Sequence, residues 1–283
     1  MPLRWVMAAC LGESEPNMND VRTHADDGRF PDVDMIERRS ALLAWLQSAG
    51  RVEVAAAALR FDTAEMTIRR DLDALVAQGA ARRVRGGAIS LLLRSEEPPF
   101  SVRAVAAGDA KRRIGRVAAD LLAEGESVAL DSGTTALEVA RCLTGRRLTV
   151  MPLSLHAAWS LASGEGVRLL MPGGDVRPGE LSLVGPLATA SLAALRFDTA
   201  VLGCCGLSDG QVTAHDLGDA EVKRAMRAAA SRTVLVADGS KFARSATAVV
   251  CAASEVDVVV TDSSVPADTA AGLRGCGVEV LPV

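Results

Sequence analysis

From about residue 111 to the C-terminus, short apolar runs alternate with amphipathic stretches, and this alternation constrains the fold more than any other feature. The runs are Ser127–Leu130, Leu148–Met151, Val167–Leu170, Thr199–Gly203, Thr233–Ala237, Val256–Val260 and Val278–Leu281. Between most of them lie segments with helical spacing, around 135–143, 155–162, 186–195, 218–230 and 266–274. A further helix, Lys111 to Ala123, precedes the first run and sets Ile114, Val117, Ala118 and Leu121 on one face. Strand–helix alternation of this kind predicts an α/β fold with a mostly parallel sheet covered by helices.

In such sheets ligands bind beyond the carboxyl ends of the strands. The first run ends in Asp131-Ser132-Gly133-Thr134-Thr135 and opens a helix. Gly133 permits a close turn, the helix start presents free N–H groups, and three hydroxyls add donors, a combination suited to a phosphate. The loop is neither a Walker loop, lacking the Gly-Lys-Ser/Thr ending, nor a G-x-G-x-x-G fingerprint. Taken alone, a capped βα turn with no ligand is the plainer reading.

Residues 35–90 have a different character. They carry nine Arg and six acids, a net +3, on a chain whose overall charge is −4. A basic segment on an acidic chain has the charge pattern of a nucleic-acid footprint, although an unevenly charged soluble surface gives the same balance. Ile36, Leu42, Leu43 and Leu46 recur at helical spacing, and Gly50 closes that helix. A second helix spans Val54 to Arg60. Phe61-Asp62-Thr63 breaks the pattern, and a third helix runs from Ala64 to Gln78 with Met66, Leu72, Leu75 and Val76 facing inward. Thr67, Arg69 and Arg70 lie in its N-terminal half, the part of a recognition helix that meets base edges. Beyond Gly79, the arginines Arg82, Arg83 and Arg85 with Gly86-Gly87 predict two short strands and a tight turn. Together these elements predict a winged helix-turn-helix whose wing arginines reach phosphates or the minor groove.

The chain therefore divides into a loose acidic and polar tail (1–30, with Met18 or Met35 as alternative starts), a DNA-binding domain (31–90), a linker (91–107) and an α/β domain (108–283). Glu96-Glu97-Pro98-Pro99 marks the linker, since consecutive prolines cannot continue a helix.

Thr67-Ile68-Arg69-Arg70-Asp71-Leu72, then Gly79, then Arg83-Val84-Arg85-Gly86-Gly87-Ala88 resembles the N-terminal signature of the DeoR family of bacterial transcriptional regulators. Asp131–Thr135, Gly173-Gly174, Gly185 and Asp238-Gly239-Ser240-Lys241-Phe242 are similar, in order and spacing, to the sensor domain of that family, so the resemblance covers roughly residues 35–262. It implies a sensor fold related to ribose-5-phosphate isomerase and a repressor of carbohydrate-metabolism genes whose effector is a phosphorylated sugar. It also implies effector contacts from Asp131, Ser132, Gly133, Thr134, Thr135, Gly173, Gly174 and Lys241, with Lys241 as the phosphate counter-charge and Asp131 shaping the loop. Lys111 and Lys223 also fall where the family has Lys, and structural ion pairing is the reading preferred for both. Two departures stand out. Ala64 replaces the usual Ser before the recognition helix, leaving Asp62 or Thr63 to cap it. Pro152-Leu153-Ser154 replaces Thr-Asn-Ser after the second sheet strand, which points to a different effector.

Two other function classes fit these residues less well than the regulator. A sugar-phosphate isomerase needs a positioned carboxylate base, yet Gly203-Cys204-Cys205-Gly206-Leu207-Ser208 stands where the related isomerases carry an acidic stretch. A nicotinamide-sensing regulator needs the absent dinucleotide fingerprint. No cofactor or metal is expected, because the six cysteines form no C-x-x-C pair and have no His at ligand spacing. Five Phe, three Trp and no Tyr disfavour a base-stacking platform. The longest stretch free of charged residues, Leu148 to Gly164, has 17 residues and contains Pro152, Ser154, His156 and Ser160, so no membrane span is expected. The expected setting is the reduced cytoplasm, as a homo-oligomer, a dimer or tetramer. Finally, 28 of the 31 basic residues are Arg, which makes Lys111, Lys223 and Lys241 conspicuous.

Overall fold

The structure, a computed structural model, describes residues 33–91, 97–242 and 244–283; the tail predicted for 1–30 lies outside the described residues. Helices α1 (Val33–Ala49), α2 (Val54–Arg60) and α3 (Glu65–Ala77) pack with strands β1 (Arg51–Glu53), β2 (Ala81–Val84) and β3 (Gly87–Ser90), ordered β1-β3-β2. Their core joins Leu42, Leu43 and Leu46 of α1 to Ile68, Leu72 and Leu75 of α3 and to Val52, Val54 and Ala88. Gly50 ends α1 in the left-handed region at φ +74, its N–H donating to the Leu46 carbonyl at 2.8 Å. β1 is too short to show a period and is not legible in the sequence. It pairs Glu53 with Gly87, where a Cβ would stand 2.1 Å from the Val52 carbonyl oxygen, so only glycine fits.

Asp71 is 1% exposed and accepts the Nε–H groups of Arg38 (2.6 Å) and Arg39 (2.7 Å), tying α3 to α1. Met66, predicted to face inward, is instead 59% exposed. It sits two residues, about 200° of helical rotation, from the buried Ile68. The cap prediction also fails. Ala64 holds the N-cap position without a side-chain hydrogen bond, and Asp62 is taken up by a left-handed turn at φ +46.

Within 91–107 lies helix α4 (Phe100–Val105), followed by α5 (Gly108–Asp120), β4 (Ser127–Leu130), α6 (Thr134–Leu143), β5 (Thr149–Pro152), α7 (Leu155–Ala162) and β6 (Arg168–Leu169). A short hairpin of β7 (Asp175–Val176) and β8 (Leu183–Val184) precedes α8 (Pro186–Ala193) and β9 (Phe197–Gly203). Then come β10 (Gly206–Ser208), β11 (Gln211–Ala214), α9 (Leu217–Ala229), β12 (Ala230–Val236), β13 (Ala248–Ala252), β14 (Val258–Thr261), α10 (Ala267–Gly275) and β15 (Glu279–Pro282).

Seven strands form one sheet in the order β15-β14-β12-β9-β4-β5-β6, and every pairing in it is parallel. Alternation along β9 sends Ala200 and Leu202 into a core with Leu192, Val222 and Met226, and Val201 into a core with Ile114, Leu143 and Leu161. Burial on both faces explains why the inner residues of these strands, such as Ala200–Leu202 and Val234–Val236, are consecutively apolar. The chain runs outward from β4 through β5 to β6, then returns to β9 on the other side of β4 and continues outward. The order thus reverses between β4 and β9, opening a crevice at their carboxyl ends. A small antiparallel sheet, β10-β11-β13, borders that crevice. Among the described residues no helix is long and apolar enough to cross a membrane.

Candidate functional site

The crevice between β4 and β9 is lined by Ser132–Ala136, by Gly203 at the end of β9 with Cys204 and Cys205 beyond it, and by Lys241 in the 3₁₀ turn after β12. Gly133 precedes α6 at φ +98 with no side-chain cap, so the N–H groups of the first turn of α6 border the cavity. Asp131 lies beneath the loop. Its carboxylate accepts the N–H groups of Ser132 and Gly203, both at 2.8 Å, and pairs with the Lys223 ammonium from α9. It shapes the loop rather than lining the cavity. The structure therefore brings Ser132, Gly133, Thr134, Thr135 and Lys241 together, with Asp131 as their support.

Gly173 and Gly174 are not among the lining residues. Gly174 is at φ +103, and a Cβ there would stand 2.5 Å from the Val184 carbonyl oxygen, so its role is close packing beside the β7–β8 hairpin. Lys223, in contrast, lines the cavity as well as pairing with Asp131. Burial works against its charge, but Asp131 and Asp219 more than offset that and hold it protonated. Lys111 lies outside the lining. Its Nζ donates to the carbonyls of Arg103 and of Ala106 (2.6 Å), with Asp238 at 3.9 Å.

Two arginines complete the cavity, and sequence reasoning singled out neither. Arg103 of α4 pairs with Glu97 at 3.1 Å and with Glu180; Arg177 after β7 pairs with Asp219 at 2.9 Å and stands 3.8 Å from Glu97. Among 28 arginines neither had a distinguishing spacing. Asp219 and Lys223, four apart on one helical face, did carry a signal. Burial raises the Asp219 carboxyl despite Lys223 and Arg177, while Ser182 donates its hydroxyl to it at 2.8 Å. Burial also pushes the Cys204 thiol up to about 12 and that of Cys205 up to about 11, so neither is a ready nucleophile. No His/Cys/Asp/Glu cluster among the described residues could hold a metal ion.

On the winged helix, Arg69 and Arg70 are exposed on α3 and Thr67 is half-buried beside them. Arg69 is held by Glu65 one turn earlier at 3.0 Å. Arg82 and Arg83 lie on β2 and Arg85 in the β2–β3 turn. Arg82 and Arg85 are exposed, whereas Arg83 is half-buried and pairs with Asp73 at 3.3 Å. His156, further along the chain, stacks on Phe100 of α4 with ring centroids 4.1 Å apart.

Residues 38–92 match the DeoR-like helix-turn-helix domain and residues 107–263 the DeoR C terminal sensor domain. The chain is 37% identical over 206 residues to the transcriptional repressor AccR of Agrobacterium fabrum, spanning 72% of this chain and 80% of that protein. It is 30% identical over 232 residues to the glycerol-3-phosphate regulon repressor of Escherichia coli (81% and 92%). The HTH-type transcriptional repressor GlcR of Bacillus subtilis is 30% identical over 226 residues (80% and 88%). Among solved structures, ribose 5-phosphate isomerase A of Methanocaldococcus jannaschii aligns with 48% of this chain and 55% of its own at 17% identity and a TM-score of 0.37.

Proposed function

Because the chain belongs to the DeoR family of bacterial transcriptional regulators, we propose that it represses carbohydrate-metabolism genes and that a phosphorylated sugar in the β4–β9 crevice sets its operator affinity. The observation that carries this reading is the convergence, in one cavity, of an uncapped helix start with Lys241, Lys223, Arg103 and Arg177. A phosphate carries close to two negative charges near pH 7, and this set offers both neutral donors and cations. The relative named as the glycerol-3-phosphate regulon repressor supports the same reading.

Thr67, Arg69 and Arg70 face the major groove, while Arg82, Arg83 and Arg85 hold the backbone. Ser132, Gly133, Thr134, Thr135 and Lys241 hold the phosphate, with Asp131 and Lys223 beneath them. DNA binding belongs to residues 31–90 and sensing to 108–283. The chain acts in the cytoplasm as a symmetric oligomer, since one winged helix buries too little surface for high specificity. The lining carboxylates Glu97, Glu180 and Asp219 are each engaged in ion pairs, which favours the regulator over the isomerase reading.

Calorimetry with ribose 5-phosphate, glycerol 3-phosphate and other phosphorylated sugars, each beside its unphosphorylated parent, tests the effector. Fluorescence anisotropy on DNA upstream of the gene tests the operator. Binding of a phosphorylated compound but not its parent, with a changed operator affinity, is expected; equal binding of both refutes the phosphate assignment.

A further inference from the structure

The cavity has a volume of about 40 Å³, room for a few waters only. A sugar phosphate is fully enclosed there only if some lining group gives way. The cations on its wall, Arg103, Arg177, Lys223 and Lys241, are already matched by Glu97, Glu180, Asp219 and the underlying Asp131. A dianion added to a charge-balanced, partly buried set is costly unless a carboxylate departs.

Three of these carboxylates are built into the α/β domain: Asp131 at the end of β4, Asp219 on α9, and Glu180 between β7 and β8. Glu97 is different. It belongs to the stretch joining the winged helix to the α/β domain, yet its side chain is only 13% exposed and lies between two guanidiniums, Arg103 at 3.1 Å and Arg177 at 3.8 Å. The Cys205 thiol donates to it at 3.5 Å. Burial opposes its charge, and Arg103, Lys241 and His215 overcome that opposition and hold the carboxyl below its ordinary value.

The consequence for DNA binding runs through α4. Val102 is buried in the core of the winged helix, while the next residue, Arg103, enters the effector cavity. Arg103 Nε also donates to the Pro98 carbonyl at 2.8 Å, so Glu97, Pro98 and Arg103 form one closed set of contacts. A second cavity of about 110 Å³ separates Ser40, Leu43 and Gln47 of α1 from the α/β domain, and Arg103 and Lys241 line both cavities.

We propose that Glu97 is an internal ligand of the effector cavity, occupying with its carboxylate the guanidinium site that an incoming phosphate must take, and that its expulsion is the step that shifts α4 and the winged helix. The proposal rests on the reading of the cavity as the phosphate site. It requires the effector to bind the Glu97-expelled form better than the Glu97-bound form, since only differential affinity moves the equilibrium.

The test compares Glu97→Gln with the wild-type full chain. Inorganic phosphate and ribose 5-phosphate are titrated calorimetrically, and operator DNA is titrated by anisotropy with and without each. Expected are at least tenfold tighter phosphate binding by Glu97→Gln and a ligand-free operator affinity displaced in the direction that phosphate displaces the wild type. Equal phosphate affinity in the two proteins overturns the proposal. Should Glu97→Gln fail to fold, hydrogen exchange in the wild type decides: phosphate is expected to speed exchange across 98–106, and unchanged exchange overturns the proposal. Lys241→Ala separates the two levels of the argument. If it binds phosphate as tightly as the wild type, the cavity reading itself falls and this inference with it. If only Glu97→Gln is silent, the cavity stands and Glu97 is merely structural.

Discussion

Lys223→Met removes the ammonium from a carboxylate that solvent scarcely reaches, the Asp131 side chain being 3% exposed and that of Lys223 6%. Breaking a buried pair by deleting one partner costs about 3–5 kcal/mol, because the remaining charge is left without compensation. Asp131 keeps two backbone donors, from Ser132 and Gly203, which places this variant near the lower end, about 3 kcal/mol. Asp131→Asn is expected to cost more. An amide has one acceptor oxygen, so one of the two backbone N–H groups faces an NH₂ and loses its bond, adding about 1–3 kcal/mol. The double variant removes both charges and should fall short of the summed single costs by about 2 kcal/mol or more. Urea denaturation followed by circular dichroism reads all three. With a slope of about 3 kcal/mol per M, the Lys223→Met midpoint drops by about 1 M. Strict additivity, or single variants within about 1 kcal/mol of the wild type, would show that the pair is solvated in solution and that the floor of the crevice is not held as described.

Further expectations follow from other parts of the molecule. Arg69→Ala and Arg70→Ala should each weaken operator binding by about 1–3 kcal/mol with altered base preference if they read guanine, whereas Arg82→Ala and Arg85→Ala weaken all sequences alike; unchanged anisotropy titrations for the α3 pair remove them from the interface. Gly174→Ala should lower stability by about 1–3 kcal/mol, through a forced left-handed alanine against the Val184 carbonyl, while calorimetric phosphate affinity stays at the wild-type value; a selective loss of affinity would return the glycine to the site. Burial pushes the Lys111 ammonium down to about 8 from 10.5, with Asp238 opposing. Between those values the unfolded chain holds a proton that the folded chain has released, so stability relative to Lys111→Met rises with pH, by about 3 kcal/mol across the window. A flat or falling difference in urea midpoints from pH 7.5 to 10.5 contradicts it.

The parallel sheet was legible because stretches buried on both faces are apolar, as Val128–Leu130, Ala200–Leu202, Val234–Val236 and Val258–Val260 are, and because 3.6-residue spacing marks the helices between them. The small sheet β10-β11-β13 was not. Its strands are three to five residues long, and β11 pairs with β13 across the whole of α9 and β12. Local periodicity carries no trace of so distant a pairing. The crevice was half legible: the Asp131–Thr135 turn and Lys241 announce themselves through glycine, hydroxyls and a rare lysine. Arg103, Arg177 and Glu97 are ordinary charged residues in an arginine-rich chain, and only tertiary packing makes them neighbours. The failed cap at Ala64 has a similar cause, since the left-handed turn at Asp62 takes away the geometry that a cap requires.

The near-exclusive use of arginine has a practical outcome once the three lysines are placed. Lys111 and Lys223 are buried and committed to internal partners, whereas Lys241 is half-exposed on the wall of the crevice. Amine-directed reagents therefore meet, besides the α-amino group, essentially one primary amine on the folded protein. A phosphate-bearing aldehyde, drawn to the same cations as the effector, would form an imine there with loss of water. Protection of that single position by candidate sugars converts the crevice into its own reporter, with no engineered label and no knowledge of the operator.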